Sequence, residues 1–386
     1  MLQFNRIHRF LGFRCDLLGR GRDVTVKKNG KNRKPIKYVL TAILIAGFVV
    51  FSLLLASCGL FEEIPETESM TETESETESQ NIVFESPTDG LYSYDDMKSD
   101  MLALSEKYNG IFTSRSIGTS ADGRDIMLGI LGNENASRRI IVTAAMHGRE
   151  YLNSYVVMLQ IEEALASYYT ASFDGTAYSD LFDAVAIYII PMCNPDGVSI
   201  SQYGIDAVRD PSLRAEIERI YESDKGYGFT SSPLNKYLSY WKANAQGVDI
   251  NRNFDSDWQK YVGMGVPCFM DYKGKSPVSA PETKALVDLV NQPVTTLASV
   301  CIHSSGSIIY QNDPALAQLM KNLTDYTVSG DKGNLPSFSE WCYYTLGIPA
   351  VTIETGSGYC PFSFDKYVGI YDDINLILPT LAAFYQ

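Results

Sequence analysis

Four short segments of the chain are almost wholly apolar, and they alternate along the chain with segments of helical character. A strand that is apolar at nearly every position is buried on both faces, as in parallel sheets that helices cover on both sides. The pattern therefore predicts a single α/β domain with a mixed, largely parallel central sheet flanked by helices on both faces. The predicted strands are 138–145, 185–191, 295–302 and 349–355, and the predicted helices are 93–110, 154–169 and 279–292.

Two of these helices have a possible capping box at their start. Ser93 precedes Asp96, and Ser279 precedes Glu282, at the three-residue spacing that lets a hydroxyl and a carboxylate each satisfy a backbone N–H group. Gly110 marks the expected end of the first helix. These signals support the helical assignment of both segments.

The first 57 residues have the composition of an export signal. Residues 1–37 contain eleven Lys and Arg and two Asp, and residues 38–57 form an uncharged apolar run of twenty residues, long enough to span a bilayer. Leu55-Ala56-Ser57-Cys58 resembles the lipobox of bacterial lipoproteins, in which the cysteine is diacylated and becomes the new N-terminus. The alternative is an uncleaved signal anchor with an incidental cysteine. Both interpretations place the rest of the chain outside the cytoplasm, anchored to a membrane.

Residues 58–80 are expected to form an acidic spacer behind the lipidated cysteine. Within them, residues 62–80 contain eight Glu and neither a basic nor an aromatic residue, so that they cannot bury a core. The folded domain is therefore predicted to comprise residues 81–386. The formal net charge of −14 includes the basic leader, so the exported part is more acidic still and nucleic acid is not an expected partner.

Polar stretches follow the predicted strands, at the edge where parallel sheets bind their ligands. Of three histidines in the chain, the two in the exported part, His147 and His303, both lie at strand ends. Imidazole is the commonest zinc ligand, Glu150 adds an oxygen donor, and three protein ligands leave the open position of a catalytic zinc site. A surface histidine beside a helix N-terminal acid is the alternative, because His-x-x-Glu alone is a weak signal. The polar stretches are HGRE (147–150), CNPDG (193–197), GVDINRNFD (247–255), IHSSG (302–306) and IETGSG (353–358).

These stretches, in this order, resemble the motifs of zinc metallocarboxypeptidases of the carboxypeptidase A type, from near Leu91 to the C-terminus. The resemblance implies that His147, Glu150 and His303 are the ligands of one Zn²⁺ ion. It also implies that Glu354 is the general base that takes a proton from the zinc-activated water as it attacks the scissile carbonyl. The alternative for Glu354 is a structural acid that ends a strand.

The same resemblance implies a substrate-binding group in the third and first stretches, GVDINRNFD and HGRE. Asn251 and Arg252 match the pair that binds the terminal carboxylate of the substrate, and Arg149 matches a further substrate-binding arginine. A planar guanidinium suits this role because it binds a carboxylate through two parallel hydrogen bonds. Asp249 matches the carboxylate that hydrogen-bonds a ligand histidine and fixes its tautomer. The alternative is a local ion pair between Asp249 and Arg252 that stabilises a loop.

Four further residues are candidates for roles in the family, and at one of them, Lys242, the chain departs from the family pattern. Lys242 stands where relatives often carry the arginine that stabilises the oxyanion, and a lysine supplies charge without a rigid fork. Arg209 is a second candidate for the oxyanion role. Tyr326 is the candidate for the mobile tyrosine of the family, and Ser339, two residues before Trp341, is the candidate for the residue that lines the specificity pocket.

The expected activity is zinc-dependent hydrolysis of peptide bonds near a free C-terminal carboxylate. The sequence Trp-Lys-Ala-Asn-Ala, around Lys242, resembles the bacterial branch that cleaves γ-D-glutamyl-diaminopimelate bonds in cell-wall peptides, and a small polar residue at 339 suits such a substrate. A muropeptide is therefore the expected partner. One alternative is a general extracellular carboxypeptidase acting on ordinary peptides, and the other is a non-catalytic peptide- or wall-binding lipoprotein. The presence of all three ligands and of Glu354 favours an enzyme.

Overall fold

The computed structural model describes residues 87–330 and 335–386, which lie within one compact unit of the chain. The predicted export signal, Cys58 and the acidic spacer lie outside the described residues, as do the first six residues of the predicted catalytic domain. Within the described part, no helix combines the length and the apolar composition that crossing a bilayer requires.

A mixed eight-stranded sheet forms the centre of the fold, with the strand order β1-β2-β6-β3-β7-β10-β8-β9. The four central strands, β6, β3, β7 and β10, run parallel to one another, whereas β1, β2 and β8 pair antiparallel with their neighbours on the central side. The predicted fold class is confirmed. In chain order the strands are β1 (Phe112–Thr119), β2 (Asp125–Leu131), β3 (Arg138–Ala144), β4 (Ser172–Phe173), β5 (Thr176–Ala177), β6 (Ala186–Ile190), β7 (Thr295–Ser304), β8 (Ile308–Gln311), β9 (Thr327–Gly330) and β10 (Ala350–Thr355).

Helices cover both faces of this sheet. Successive residues of a strand point to opposite faces, so Ile140 and Val142 of β3 belong to the buried cluster that includes α2, whereas Ile141 belongs to the cluster that includes α7. Both faces of the sheet are therefore buried, which explains why the central strands are apolar throughout. The helices are α1 (Tyr94–Lys107), α2 (Leu152–Ala166), α3 (Tyr178–Ala184), α4 (Pro195–Tyr203), α5 (Pro211–Gly226), α6 (Leu234–Leu238), α7 (Pro281–Val290), α8 (Pro314–Thr324), α9 (Phe338–Glu340), α10 (Tyr367–Ile374) and α11 (Ile377–Tyr385).

The two predicted capping boxes have different outcomes. At α1, Ser93 Oγ accepts from the backbone N–H of Asp96 and the Asp96 carboxylate accepts from Ser93 N–H, as predicted. At α7 the prediction is wrong, because the helix begins at Pro281 and its N-cap, Ala280, has no side-chain hydrogen bond. Glu282 is instead fully buried, and its carboxylate accepts hydrogen bonds from other segments of the chain.

Strands β1, β2, β8 and β9 are not among the predicted strands; of these, β2 is itself mostly apolar, with six of its seven residues buried. In strand β1, at one edge of the sheet, only Phe112 is buried, and β9, at the other edge, has no buried residue. Strand β8 has only four residues. Edge strands of this kind depend on pairing with a neighbour and not on a continuous apolar run, so their sequences carry a weak signal.

Candidate active site

The predicted metal ligands meet at the carboxyl ends of the central strands. His147 follows β3 and begins a short 3₁₀ turn that contains Glu150, and His303 lies on β7, beside β3. Glu354 lies on β10 and is the direct register partner of His303. Parallel pairing of three adjacent strands therefore brings together residues that are far apart in sequence.

The three side chains point their donor atoms at one another. Nδ1 of His147 lies 2.8 Å from Oε1 of Glu150, and Nδ1 of His303 lies 2.9 Å from Oε2 of the same carboxylate. The two Nδ1 atoms are 3.2 Å apart, although the histidines are 156 residues apart in sequence. All three residues are buried, with 4% or less of each exposed. Among the described residues, these three side chains form a group whose ligand atoms lie close enough together to bind one metal ion.

This donor set fits a zinc ion. Ligands about 2.0–2.2 Å from a tetrahedral zinc ion lie roughly 3.3–3.6 Å from one another, a few tenths of an ångström wider than the separations seen here. Two imidazoles and one carboxylate are the ligand types of catalytic zinc sites with an open position. Without a metal ion, each of the two imidazole nitrogens would need a proton to make a hydrogen bond to the Glu150 carboxylate. A cation bound by all three side chains removes that requirement.

The surroundings of Glu150 and Glu354 shift the pKa values of the two carboxyl groups in opposite directions. Burial alone would raise the pKa of Glu150, but His147 and His303 outweigh it and hold that pKa well below its usual range. Burial raises the pKa of Glu354, and the negative charge of Glu150 raises it further. Glu354 is half-buried, and its carboxylate makes no hydrogen bond to another residue of the described part. Glu150 thus stays ionised, as a ligand must, while Glu354 is free to accept a proton.

Asp249 lies on the far side of the His147 ring. Its Oδ1 is 3.3 Å from His147 Nε2, on the opposite edge of the imidazole from the Nδ1 that faces Glu150. Backbone N–H groups of Asn251 and Asp271 donate to the Asp249 carboxylate. Burial raises the pKa of Asp249, but the charges of His147 and Arg252 hold it well below its usual range. A carboxylate that hydrogen-bonds a ligand histidine fixes the orientation of its ring, but Nε2 of His147 makes no hydrogen bond among the described residues, so this role of Asp249 stays a prediction.

Asn194, in the CNPDG stretch, holds the HGRE turn in place, a role that sequence reasoning does not assign. Its Nδ2 donates to the backbone carbonyls of Met146, Lys242 and Ala243. The packing is close, because a Cβ on Gly148 would lie 2.2 Å from the carbonyl oxygen of Gly197. The feature of the sequence that points to this segment is the Asn-Pro-Asp-Gly motif, which places an N-cap asparagine and a proline at the start of α4.

The side chains of Lys242 and Arg149 are both half-buried near the metal ligands. The positive charge of Lys242 acts on His147, Asp249 and Glu354. Nε of Arg149 is buried and has no hydrogen-bond partner among the described residues. Both cations therefore remain available to a negatively charged group of a ligand, as the predicted roles require.

Asn251 and Arg252 lie on a short 3₁₀ turn beside the histidines. Nδ2 of Asn251 is 3.3 Å from Nε2 of His303, and its Oδ1 accepts from the backbone N–H of Phe338. The guanidinium of Arg252 donates to the hydroxyl of Tyr261 and to the carbonyl of Asn251. Asn251 is thus next to a metal ligand, and Arg252 follows it in the same turn.

Two other candidates, Arg209 and Tyr326, lie differently from what their predicted roles need. Arg209 is exposed, donates to the carbonyl of Gly123 and stacks over Tyr94, and none of these residues contacts the metal ligands. Of the two candidates for the oxyanion role, Lys242 is the one whose charge acts on the site, and that role stays a prediction. Tyr326 is buried in the core, and its hydroxyl donates to Asp373, which argues against a mobile tyrosine at this position.

Ser339 is buried on α9, and its hydroxyl lies 2.9 Å from Oγ1 of Thr352 on β10. Thr352 is two residues before Glu354, so it lies on the same face of β10. The pair of hydroxyls makes this region small and polar, in line with the predicted character of the pocket. The role of Ser339 in specificity stays a prediction.

Comparison with known proteins identifies relatives over most of the described domain. A family model described as zinc carboxypeptidase (Peptidase_M14) matches residues 97–340. The uncharacterized protein YqgT of Bacillus subtilis is 28% identical over 287 residues, which is 70% of this chain and 72% of that protein. Gamma-D-glutamyl-L-diamino acid endopeptidase 1 of Lysinibacillus sphaericus is 25% identical over 293 residues, 73% of this chain and 70% of that protein.

Solved structures agree with the fold. The crystal structure of carboxypeptidase A from Helicoverpa armigera superposes with a TM-score of 0.55, at 19% identity, over 76% of this chain and 74% of that chain. The mixed sheet and the flanking helices are therefore those of a carboxypeptidase A-like fold.

Proposed function

The chain belongs to the zinc carboxypeptidase family and is a zinc metallopeptidase, and we propose that it cleaves γ-D-glutamyl-diaminopimelate bonds in cell-wall peptides. The observation that carries the proposal is the convergence of His147, Glu150 and His303, with Glu354 as the register partner of His303. These three ligands would hold the zinc ion. When bound, zinc acts as a Lewis acid that polarises a carbonyl and makes a water molecule more acidic.

Glu354 acts as the general base in this proposal. Its carboxylate has no hydrogen-bond partner among the described residues, so a proton can be accepted without breaking an existing contact. Its raised pKa brings it toward the range in which proton transfer at neutral pH is efficient. Lys242 supplies positive charge for the oxyanion that forms during attack. Arg252, Asn251 and Arg149 bind the carboxylate of the substrate.

The substrate class rests on two kinds of support. A relative with 25% identity over most of both chains is named a gamma-D-glutamyl-L-diamino acid endopeptidase. Within the chain, the hydroxyls of Ser339 and Thr352 offer a small polar pocket, which suits a polar or zwitterionic side chain better than an aromatic one. A wall peptide as substrate also agrees with export of the enzyme.

We propose further that the enzyme is an extracytoplasmic lipoprotein. The support is the sequence alone: a basic leader, an uncharged apolar run of twenty residues and small residues before Cys58. The acidic spacer would hold the catalytic domain away from the membrane. Metabolic labelling with a clickable fatty acid tests this. Label on the wild type and its loss in Cys58→Ala is expected, and equal labelling of both would contradict it.

A substrate panel tests the proposed specificity. The purified enzyme is incubated with a γ-D-glutamyl-diaminopimelate peptide and with ordinary peptides ending in Phe, Leu or Lys, with and without a zinc chelator, and the products are identified by mass spectrometry. Chelator-sensitive cleavage of the wall peptide is expected. Cleavage of the ordinary peptides alone would contradict the proposal and would favour a general carboxypeptidase.

A further inference from the structure

Three buried polar side chains form a closed ring of hydrogen bonds next to the candidate active site. Nδ2 of Asn153 donates to Oγ of Ser304 at 3.0 Å, Oγ of Ser304 lies 2.8 Å from Oγ1 of Thr355, and Oγ1 of Thr355 donates to Oδ1 of Asn153 at 2.7 Å. Asn153 and Thr355 are fully buried, and Ser304 is 7% exposed. We call this set the hydroxyl–amide ring.

Each of the three contacts in the ring can have one hydrogen-bond donor and one acceptor. Each hydroxyl has a single proton, so Ser304 can donate to Thr355 and Thr355 to Asn153, while the Asn153 amide both donates and accepts. All three contacts are then satisfied in one rotational sense, and this consistent arrangement fixes the orientation of the amide. Buried polar networks that are fully satisfied in this way are rigid.

The ring joins the three segments that carry the candidate catalytic groups. Asn153 lies on α2, three residues after Glu150, while Ser304 follows His303 and Thr355 follows Glu354. The backbone N–H of Ser304 also donates to Oε2 of Glu150 at 3.2 Å. In addition, Oγ1 of Thr355 is 3.0 Å from the carbonyl oxygen of His303. The ring thus adds a link to α2 that the pairing of β7 with β10 does not supply.

Side-chain alternation separates the ring from the substrate. Because successive residues of a strand point to opposite faces, Ser304 and Thr355 point away from the face on which His303 and Glu354 lie. Their burial agrees with this. The ring therefore acts through the groups beside it and not by contact with substrate.

We propose that the hydroxyl–amide ring is a positioning device that sets Glu354 against the metal ligands Glu150 and His303. The inference rests on the proposed role of Glu354 as general base. Its physical basis is that small displacements of a reacting group cost large factors in rate, and that groups supporting a metal ligand also contribute to metal affinity.

Thr355→Val is the most direct test, because valine keeps the shape of threonine and removes only the hydroxyl. We expect kcat to fall by about 10-fold or more with KM within about two-fold, and zinc affinity to fall by about 10-fold. Thr355→Ser restores the hydroxyl and is expected to restore both quantities. Zinc affinity is measured by competition with a chromophoric chelator, a readout that does not depend on activity.

Thr380→Val is the matched control, because the Thr380 hydroxyl on α11 is also buried and has no hydrogen-bond partner among the described residues. The proposal is overturned if Thr355→Val behaves like Thr380→Val in kcat and zinc affinity, or if Thr355→Ser is as impaired as Thr355→Val. Ser304→Ala, which removes the hydroxyl that joins Asn153 to Thr355 and keeps the backbone N–H that binds Glu150, replaces Thr355→Val if circular dichroism shows the latter to be unfolded. If Glu354→Gln is fully active, the proposed base fails, whereas the zinc measurements still decide whether the ring positions the ligands.

Discussion

At the scale of single residues, environment gives two neighbouring glutamates different roles. Glu150 lies between two imidazoles, and their charges hold its pKa well below the usual range. Glu354 is nearby, its carboxylate lacks a hydrogen-bond partner in the described part, and its pKa is raised by burial and by the charge of Glu150. Two carboxylates whose pKa values are displaced in opposite directions are suited to the separate roles of ligand and base.

Replacing Glu354 by Gln tests this division. The amide keeps the size of the side chain but cannot accept the proton, so we expect kcat to fall by about 10²- to 10⁴-fold while zinc stays bound at one ion per chain. The measurements are steady-state kinetics and metal analysis of the same preparation. Wild-type kcat in Glu354→Gln would show that another group serves as the base.

At the scale of secondary-structure elements, the sequence predicts what depends on local pattern and misses what depends on tertiary partners. The central strands and the cap at Ser93 follow from apolar runs and local spacing, and the structure confirms them. Glu282 has the spacing of a capping box, but the backbone of Ala121 and the amide of Asn244 provide better-placed partners in three dimensions.

The candidate site follows the same rule. His147, Glu150, His303 and Glu354 lie in motifs with well-defined neighbours, and the structure brings these residues together. Tyr326 has no such motif around it, and its ring is buried in the core. The contribution of Asn194 to the HGRE turn could not be predicted, because the carbonyls that it binds come from two distant segments.

Gly148→Ala tests the packing of the HGRE turn against α4. A Cβ at this position would lie 2.2 Å from the Gly197 carbonyl oxygen, so the turn must shift. We expect a loss of about 1–3 kcal/mol in the free energy of unfolding and weaker zinc binding. Gly369→Ala is the control, since a Cβ there meets no atom within 4 Å and the residue lies on helix α10. Unchanged zinc affinity in Gly148→Ala would contradict the argument.

At the scale of the whole molecule, a buried acid makes stability depend on pH. Burial, and then the charge of Asp196, raises the pKa of Glu282 to about 7. In the unfolded chain a glutamate loses its proton near pH 4.3. Protonation therefore favours the folded state: the contribution is fully present below about pH 4.3 and is lost as pH rises toward about 7.

A comparison of Glu282→Gln with the wild type measures this contribution. The amide resembles the protonated acid, so we expect Tm of the variant to fall less than that of the wild type between about pH 5 and pH 8. Other groups, such as Asp100, whose pKa burial raises to about 6, affect both proteins equally. Parallel pH profiles for the two proteins would mean that Glu282 does not titrate in this range.

Anomalous diffraction at the zinc edge, from crystals grown with zinc, tests the central claim most directly. A single strong peak is predicted between Nδ1 of His147, Nδ1 of His303 and the Glu150 carboxylate, with metal–ligand distances of about 2.0–2.2 Å. A zinc peak elsewhere, or three side chains that stay in direct mutual contact with no metal between them, would contradict the assignment of this site as the zinc centre.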